Sequence, residues 1–150
     1  MEIRCIAPDE LDALLALYQH LHPTDEALPP RSQVEAVWQS ITANPSYRYF
    51  GLYQDAALRA SCCISLVANL THGCRPYGLI ENVVTQAEYR KRGYGQALLA
   101  HTLAFAWSQG CYKVMLSTSS KDPATWQFYQ DAGFDRFEKQ AFIARPPALL

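Results

Sequence analysis

A chain of 150 residues, 49% hydrophobic and 18% charged, has the composition of one ordinary globular domain able to bury a core without staples. Its formal net charge of −1 excludes a disordered or nucleic-acid-coating protein, so any cluster of cations acts locally. No apolar run reaches the ~18 residues of a membrane span, the first residues lack the basic-then-apolar layout of a secretory leader, and Cys5, Cys62, Cys63, Cys74 and Cys111 contain no C-x-x-C pair. The expectations are a single domain over residues 1–150, a cytoplasmic address, no membrane partner, no metal, and reduced, mostly buried thiols.

Glu2 to Ile6 reads as a short first strand. Leu11, Leu14, Leu15, Tyr18 and Leu21 then follow the spacing of an amphipathic helix, opened after Pro8-Asp9 and stopped before Pro23. A second helix is expected from Ser32, because Ser32-Gln33-Val34-Glu35 has capping-box form and Val34, Val37, Trp38 and Ile41 share one face. Tyr47 to Gln54 and Leu58 to Leu70 are β-rich runs on either side of a turn at Asp55-Ala56, the layout of neighbouring antiparallel strands. Tyr77 to Val84 is a further strand; a helix of about Gly95 to Gln109 closes on Gly110. Cys111 to Thr118 is β-rich, Pro123 to Ala132 is helical with Gly133 after it, and Phe134 to Ile143 supplies a last strand. The order β-α-α-β-β-β-α-β-α-β predicts a mixed sheet covered by helices, α+β or α/β.

The stretch Glu88-Tyr89-Arg90-Lys91-Arg92-Gly93-Tyr94-Gly95-Gln96 carries the chemistry, since a glycine-rich turn opening a helix offers unpaired N–H groups and a positive dipole end to phosphate. The dinucleotide fingerprint fails at Leu98, which stands where a third glycine is needed, and no P-loop is present. What fits is R-x-x-G-x-G, spelled Arg90 to Gly95, after the strand Ile80-Glu81-Asn82-Val83-Val84 and before a helix; downstream, Phe128-Tyr129-Gln130-Asp131-Ala132-Gly133-Phe134 matches F-Y-x-x-x-G-F. With these motifs in this order the chain resembles the GNAT family of acetyl-CoA-dependent N-acetyltransferases, strongly over about residues 77–137.

The resemblance implies that acetyl-CoA is the acyl donor and a small-molecule primary amine the acceptor. Amides around Arg92, Gly93, Tyr94, Gly95 and Gln96 would cradle the coenzyme diphosphate, with Arg90, Lys91 and Arg92 adding positive charge. It also implies that the backbone of Val83 and Val84 pairs with the pantetheine arm where that strand parts from the one at Val114 to Thr118. Asp122 falls where relatives often carry Asn, so Ser119 or Ser120 is the expected substitute hydrogen-bonding group.

An amine with a pKa near ~10 must lose a proton before it attacks, and Glu81 is the expected base, acting through a water with its pKa raised by partial burial, the alternative being that it only anchors the substrate ammonium. Tyr129 is the expected acid for the departing thiolate, and the N–H of Val83 or Val84 the expected oxyanion donor. "IENVV", "CYKVML" and "LSTSSK" resemble subgroups acting on amino-sugar phosphates and aminoalkylphosphonates, which suggests an anionic amine.

Other readings stay open at this stage. A noncatalytic acyl-CoA-binding module would keep the glycine loop and dispense with acid and base; a nucleic-acid reader would use the Arg90 to Arg92 cluster but lacks a basic surface. His20 and His22, with Asp25 and Glu26, border the acceptor side in the resembling family but complete no metal-ligand spacing. The resemblance and the aromatic-rich last strand are compatible with a homodimer.

Overall fold

The structure, a computed structural model, describes residues 1–147. Two compact units divide the chain, residues 1–116 and 117–150.

The first unit holds a five-stranded sheet in the order β1-β2-β3-β4-β5: β1 (Glu2–Cys5), β2 (Tyr47–Gln54), β3 (Ala57–Val67), β4 (Tyr77–Thr85) and β5 (Val114–Met115). The first four pair antiparallel and β5 joins β4 in parallel, a connection that needs the crossover helix between them. Helices α1 (Leu11–Tyr18), α2 (Arg31–Ala43), the four-residue α3 (Thr71–Cys74) and α4 (Tyr94–Ser108) complete the unit. Successive residues of β2 face opposite sides. Tyr49 meets Trp38 of α2 edge-on, while Phe50 meets His101 and Phe105 of α4, so helices cover both faces. Ile6, Leu11, Leu14 and Trp38 form the core under α1 and α2; Leu98, Leu99 and Ala106 are buried on α4.

Several boundaries differ from the sequence reading. The first helix ends at Tyr18, and residues 19–22 continue as turns. Helix α2 begins at Arg31 with Pro30 as its N-cap, so Ser32 lies inside the helix and caps nothing. Glu35 instead accepts from Arg31 Nε at 2.7 Å, and Arg31 also pairs with Asp12. The Asp55-Ala56 turn has both residues at positive φ, 53° and 59°, the geometry of a type I′ hairpin. The strand expected over Cys111 to Thr118 is reduced to Val114–Met115, because β4 offers it partners only at Gly78 and Leu79.

The second unit contains α5 (Pro123–Asp131) and no strand among its described residues. The run Phe134 to Ile143, expected as a last strand, is broken by a turn in which the Asp135 carboxylate accepts the Phe137 N–H at 2.8 Å. Phe137, Phe142 and Ile143 are exposed.

Candidate active site

The site is built on β4 and the turn that follows it. Opposite β3, Glu81 pairs with Cys63 and Val84 with Ser61, so three steps on β4 answer two on β3. The extra residue is a bulge, and Asn82 takes it with φ 54°, a left-handed conformation that Asn tolerates better than most residues. Without the bulge, Glu81 and Val84 would face opposite sides. With it, both fall on the face shared by Cys63 and Ser61, which is the side of α1. On the other edge, β5 stops pairing after Leu79, so among the described residues no strand pairs with Asn82 or Val83 on either side. The edge of β4 away from β3 is therefore without a strand partner along its second half among the described residues. An extended ligand could satisfy those backbone groups.

Glu81 is exposed, so the partial burial expected of it is not there. Beneath the bulge, Cys63 Sγ donates to the Glu81 carbonyl at 3.3 Å and accepts from Asn82 Nδ2 at 3.8 Å. Tyr18 of α1 faces the same group; burial, and next the neighbouring Cys63 and Tyr49, push its phenol well above the ordinary range. Burial raises the Cys63 thiol as well and pushes Cys62, on the α4 side, up to about 12, which removes both as neutral-pH nucleophiles.

Past β4, a short 3-10 turn (Ala87–Tyr89) leads to Arg90, and Gly93 caps α4 at φ 81° with open space where a Cβ would stand. The first helical bond runs from Ala97 N–H to the Gly93 carbonyl; the amides of Tyr94 and Gly95 lie ahead of it. Glycine, a helix start and local cations are the chemistry a diphosphate requires.

The three cations are not equivalent. Arg90 donates to the carbonyls of Thr85 at 3.1 Å and His20 at 2.9 Å, so its guanidinium braces the turn against the exit of α1. His20 Nδ1 accepts from the Ala87 N–H at 3.4 Å in the same junction. Arg92 lies 4.9 Å from the centre of the Tyr89 ring, and Arg59 of β3 lies 4.3 Å from it. Arg59 is thus a further cation beside the glycine loop, invisible from the sequence because its place is set by strand pairing. Lys91 has φ 60°. Among the described residues no group of three His, Cys, Asp or Glu side chains could hold a metal ion. Two open cavities, of about 340 and 310 Å³, are lined by α1, α2 and the hairpin and include none of residues 80–85.

In the second unit, Asp122 is the N-cap of α5 and accepts the Ala124 N–H at 2.9 Å, a structural use of the position where relatives often carry Asn. Ser120 is likewise engaged locally, accepting from the Asp122 N–H and donating to Thr125, whereas Ser119 is exposed. The F-Y-x-x-x-G-F signature has a direct physical reading. Gly133 at φ 97° turns the chain, its N–H reaches the Gln130 carbonyl, and the Phe134 N–H reaches the Tyr129 carbonyl at 3.1 Å, a Schellman closure. The Tyr129 ring, half-buried, is held between Phe128 at 4.9 Å and Phe134 at 6.4 Å.

A bulged strand left open beside a glycine-capped helix is an arrangement able to take an extended ligand through backbone groups and a helix start. Comparison with known proteins identifies the ligand class: the acetyltransferase (GNAT) family profile matches residues 12–134, and the chain belongs to that family. The chain is 32% identical over 143 residues to a glucosamine 6-phosphate N-acetyltransferase of Trypanosoma brucei brucei, covering 93% of this chain and 92% of that one. A solved protein of Agrobacterium tumefaciens strain C58, named for an inferred acetyltransferase activity, superposes with a TM-score of 0.91 at 38% identity, covering 97% of this chain and all of that one. A solved Trypanosoma brucei acetyltransferase gives 0.79 at 27%, over 96% and 99% of the two chains. The enzyme is an N-acetyltransferase that uses acetyl-CoA.

Proposed function

We propose that residues 1–150 act as one domain that acetylates the primary amine of a small anionic molecule, with an amino-sugar phosphate as the leading acceptor. The observation that carries the acceptor class is the near full-length similarity to the trypanosomal enzyme named for glucosamine 6-phosphate. Support for the donor side comes from the open half of β4 next to the Gly93-capped helix.

In this reading acetyl-CoA supplies the activated acyl group, and the amides from Arg92 through Gln96 bind its diphosphate. Val83 and Val84 align the pantetheine arm through their backbone. A backbone N–H of Val83 or Val84 donates to the thioester carbonyl as negative charge develops there. Glu81, on the α1 face and open to solvent, accepts through a water the proton that the ammonium must lose. Tyr129 supplies a proton to the departing sulfur, a role that rests on its place in the F-Y-x-x-x-G-F signature. Ser119 is proposed to hydrogen-bond the pantetheine where Asp122 is occupied as a cap.

The assembly proposed is a cytoplasmic homodimer, in which the exposed Phe137, Phe142 and Ile143 would find apolar cover. No membrane or nucleic-acid partner is proposed; among the described residues no helix is long and apolar enough to cross a membrane.

A thiol-release assay over amino-sugar phosphates, aminoalkylphosphonates, aminoglycosides, polyamines and peptides tests this reading. Turnover should be greatest with a phosphorylated amino sugar, and Tyr129→Phe should lower it about 10²-fold while leaving coenzyme A affinity unchanged. No amine raising turnover above slow hydrolysis would refute the proposal, and an unaltered rate in Tyr129→Phe would remove that residue from the chemistry.

A further inference from the structure

We propose that Arg59, together with Arg92, binds the 3′-phosphate on the ribose of coenzyme A and so lets the enzyme tell the coenzyme from its 3′-dephospho form. The inference rests on the acetyl-CoA reading above and adds a second anion site beside the turn that takes the diphosphate. Coenzyme A carries this further phosphate as a monoester, with a charge of about −1.5 to −2 at neutral pH.

Arg59 lies in β3 where the register against β2 slips. Tyr53 pairs with Leu58 and Leu52 with Ala60, which leaves Arg59 without a partner on β2. Its own carbonyl accepts from the Gln86 N–H at 2.8 Å, and Nη1 donates to the Gln86 side-chain oxygen at 2.8 Å. The guanidinium stands 4.3 Å from the centre of the Tyr89 ring. The residue that follows β4 and the turn that precedes α4 thus hold this side chain in place.

Held there, the charge is unspent. Among the described residues Arg59 meets no carboxylate, and its Nε is buried without a hydrogen-bond partner. The Nε–Nη2 edge is the fork that takes two oxygens of one phosphate, and a buried N–H left unpaired is costly unless an acceptor is supplied. Arg92 comes within 4.9 Å of the centre of the same ring, is exposed, and likewise forms no ion pair among the described residues. Arg4 and Arg31, by contrast, are paired with carboxylates, and Arg90 is spent on two carbonyls. Two like charges gathered at one ring repel each other, and a bound dianion reverses the sign of that interaction.

An amino-sugar phosphate carries a phosphate monoester too. The placement favours the coenzyme, because Tyr89 leads directly into the Arg90 to Gly95 turn and Arg92 belongs to that turn.

Calorimetry with coenzyme A and with 3′-dephospho-coenzyme A, at one salt concentration, tests the assignment on wild type, Arg59→Gln, Arg59→Lys and Arg92→Gln. Wild type should bind coenzyme A about tenfold or more tightly than the dephospho form. Arg59→Gln should lose about tenfold toward coenzyme A and less than about twofold toward the dephospho form, so that the two affinities converge. Arg59→Lys, which keeps the charge without the fork, and Arg92→Gln should fall between. A wild type that binds both forms alike, or an Arg59→Gln variant weakened equally on both or on neither, would overturn the inference. Unchanged coenzyme affinities with a raised KM for the amino-sugar phosphate would overturn it as well, by giving the fork to the acceptor. If Arg59→Gln fails to fold, Arg59→Lys and Arg92→Gln decide: a narrowed ratio between the two forms supports the inference and a wild-type ratio refutes it. Failure of wild type to bind either form would instead strike the acetyl-CoA reading, and the inference with it.

Discussion

The two halves of β4 divide the labour of the first unit. At Gly78 and Leu79 the strand pairs on both sides, and Gly78 packs so closely that an added Cβ would meet Ile64 Cδ1 at 2.8 Å and Val114 Cγ2 at 3.1 Å. From Asn82 to Thr85 the ladder is bulged on one side and unpartnered by β5 on the other. The lesson is that pairing stabilises the sheet, and withholding it over a few residues leaves main-chain groups for a ligand.

If the halves differ in this way, substitutions should separate chemistry from stability. Among substitutions on β4 the largest effect is expected of Glu81→Gln: kcat falls about ten- to hundredfold with coenzyme A affinity retained, measured by steady-state thiol release and calorimetry. In the paired half, Gly78→Val should cost about 1–3 kcal/mol in denaturant unfolding through overpacking, and its folded fraction should still bind coenzyme A. A Gly78→Val protein of unchanged stability would break the distinction.

Controls away from β4 should move stability alone. Glu10 accepts from Arg4 at 2.8 and 2.9 Å, from the Ala7 N–H and from the Tyr53 hydroxyl. Chiefly through its hydrogen bonds to Arg4, the carboxyl is held down at about 2 against an ordinary 4.5. Its contribution is thus complete above pH 4.5 and fades as pH falls toward 2. Glu10→Gln should flatten that part of the stability–pH curve. Ala56→Gly should stabilise by about 1 kcal/mol in thermal unfolding, because alanine holds φ 59° at a cost that glycine avoids. The smallest effect is expected of Arg90→Gln, with coenzyme A affinity falling less than about threefold, since its side chain is spent on the His20 and Thr85 carbonyls. A larger loss would mean that Arg90 meets phosphate after all.

Much of this was legible in the sequence because local rules governed it. Alternation gave Tyr47–Gln54 its full span, and Gly93, Gly110 and Gly133 all stand at positive φ where helices begin or end. The glycine loop was readable for the same reason. Legibility stopped where tertiary contacts decide. Ser32 had the right neighbours for a cap, but Pro30 caps the helix two residues sooner. Phe134 to Ile143 had strand composition, but the Asp135 turn interrupts it. Arg90 carries the family motif's charge, yet its direction follows from the Thr85 carbonyl on β4 and from that of His20 at α1's exit, the second distant in sequence. The bulge left one faint signal: Asn82, a poor strand residue, in an otherwise β-rich run.

The central claim is that the Gly93 turn holds a diphosphate and sends the acyl thioester along the open half of β4. A crystal structure of the chain with acetyl-CoA tests it most directly. The expected result has diphosphate oxygens within hydrogen-bond reach of amides between Arg92 and Gln96 and the pantetheine running beside Val83 and Val84. Coenzyme bound elsewhere, or β5 pairing past Leu79 so that the gap is closed, would contradict the account.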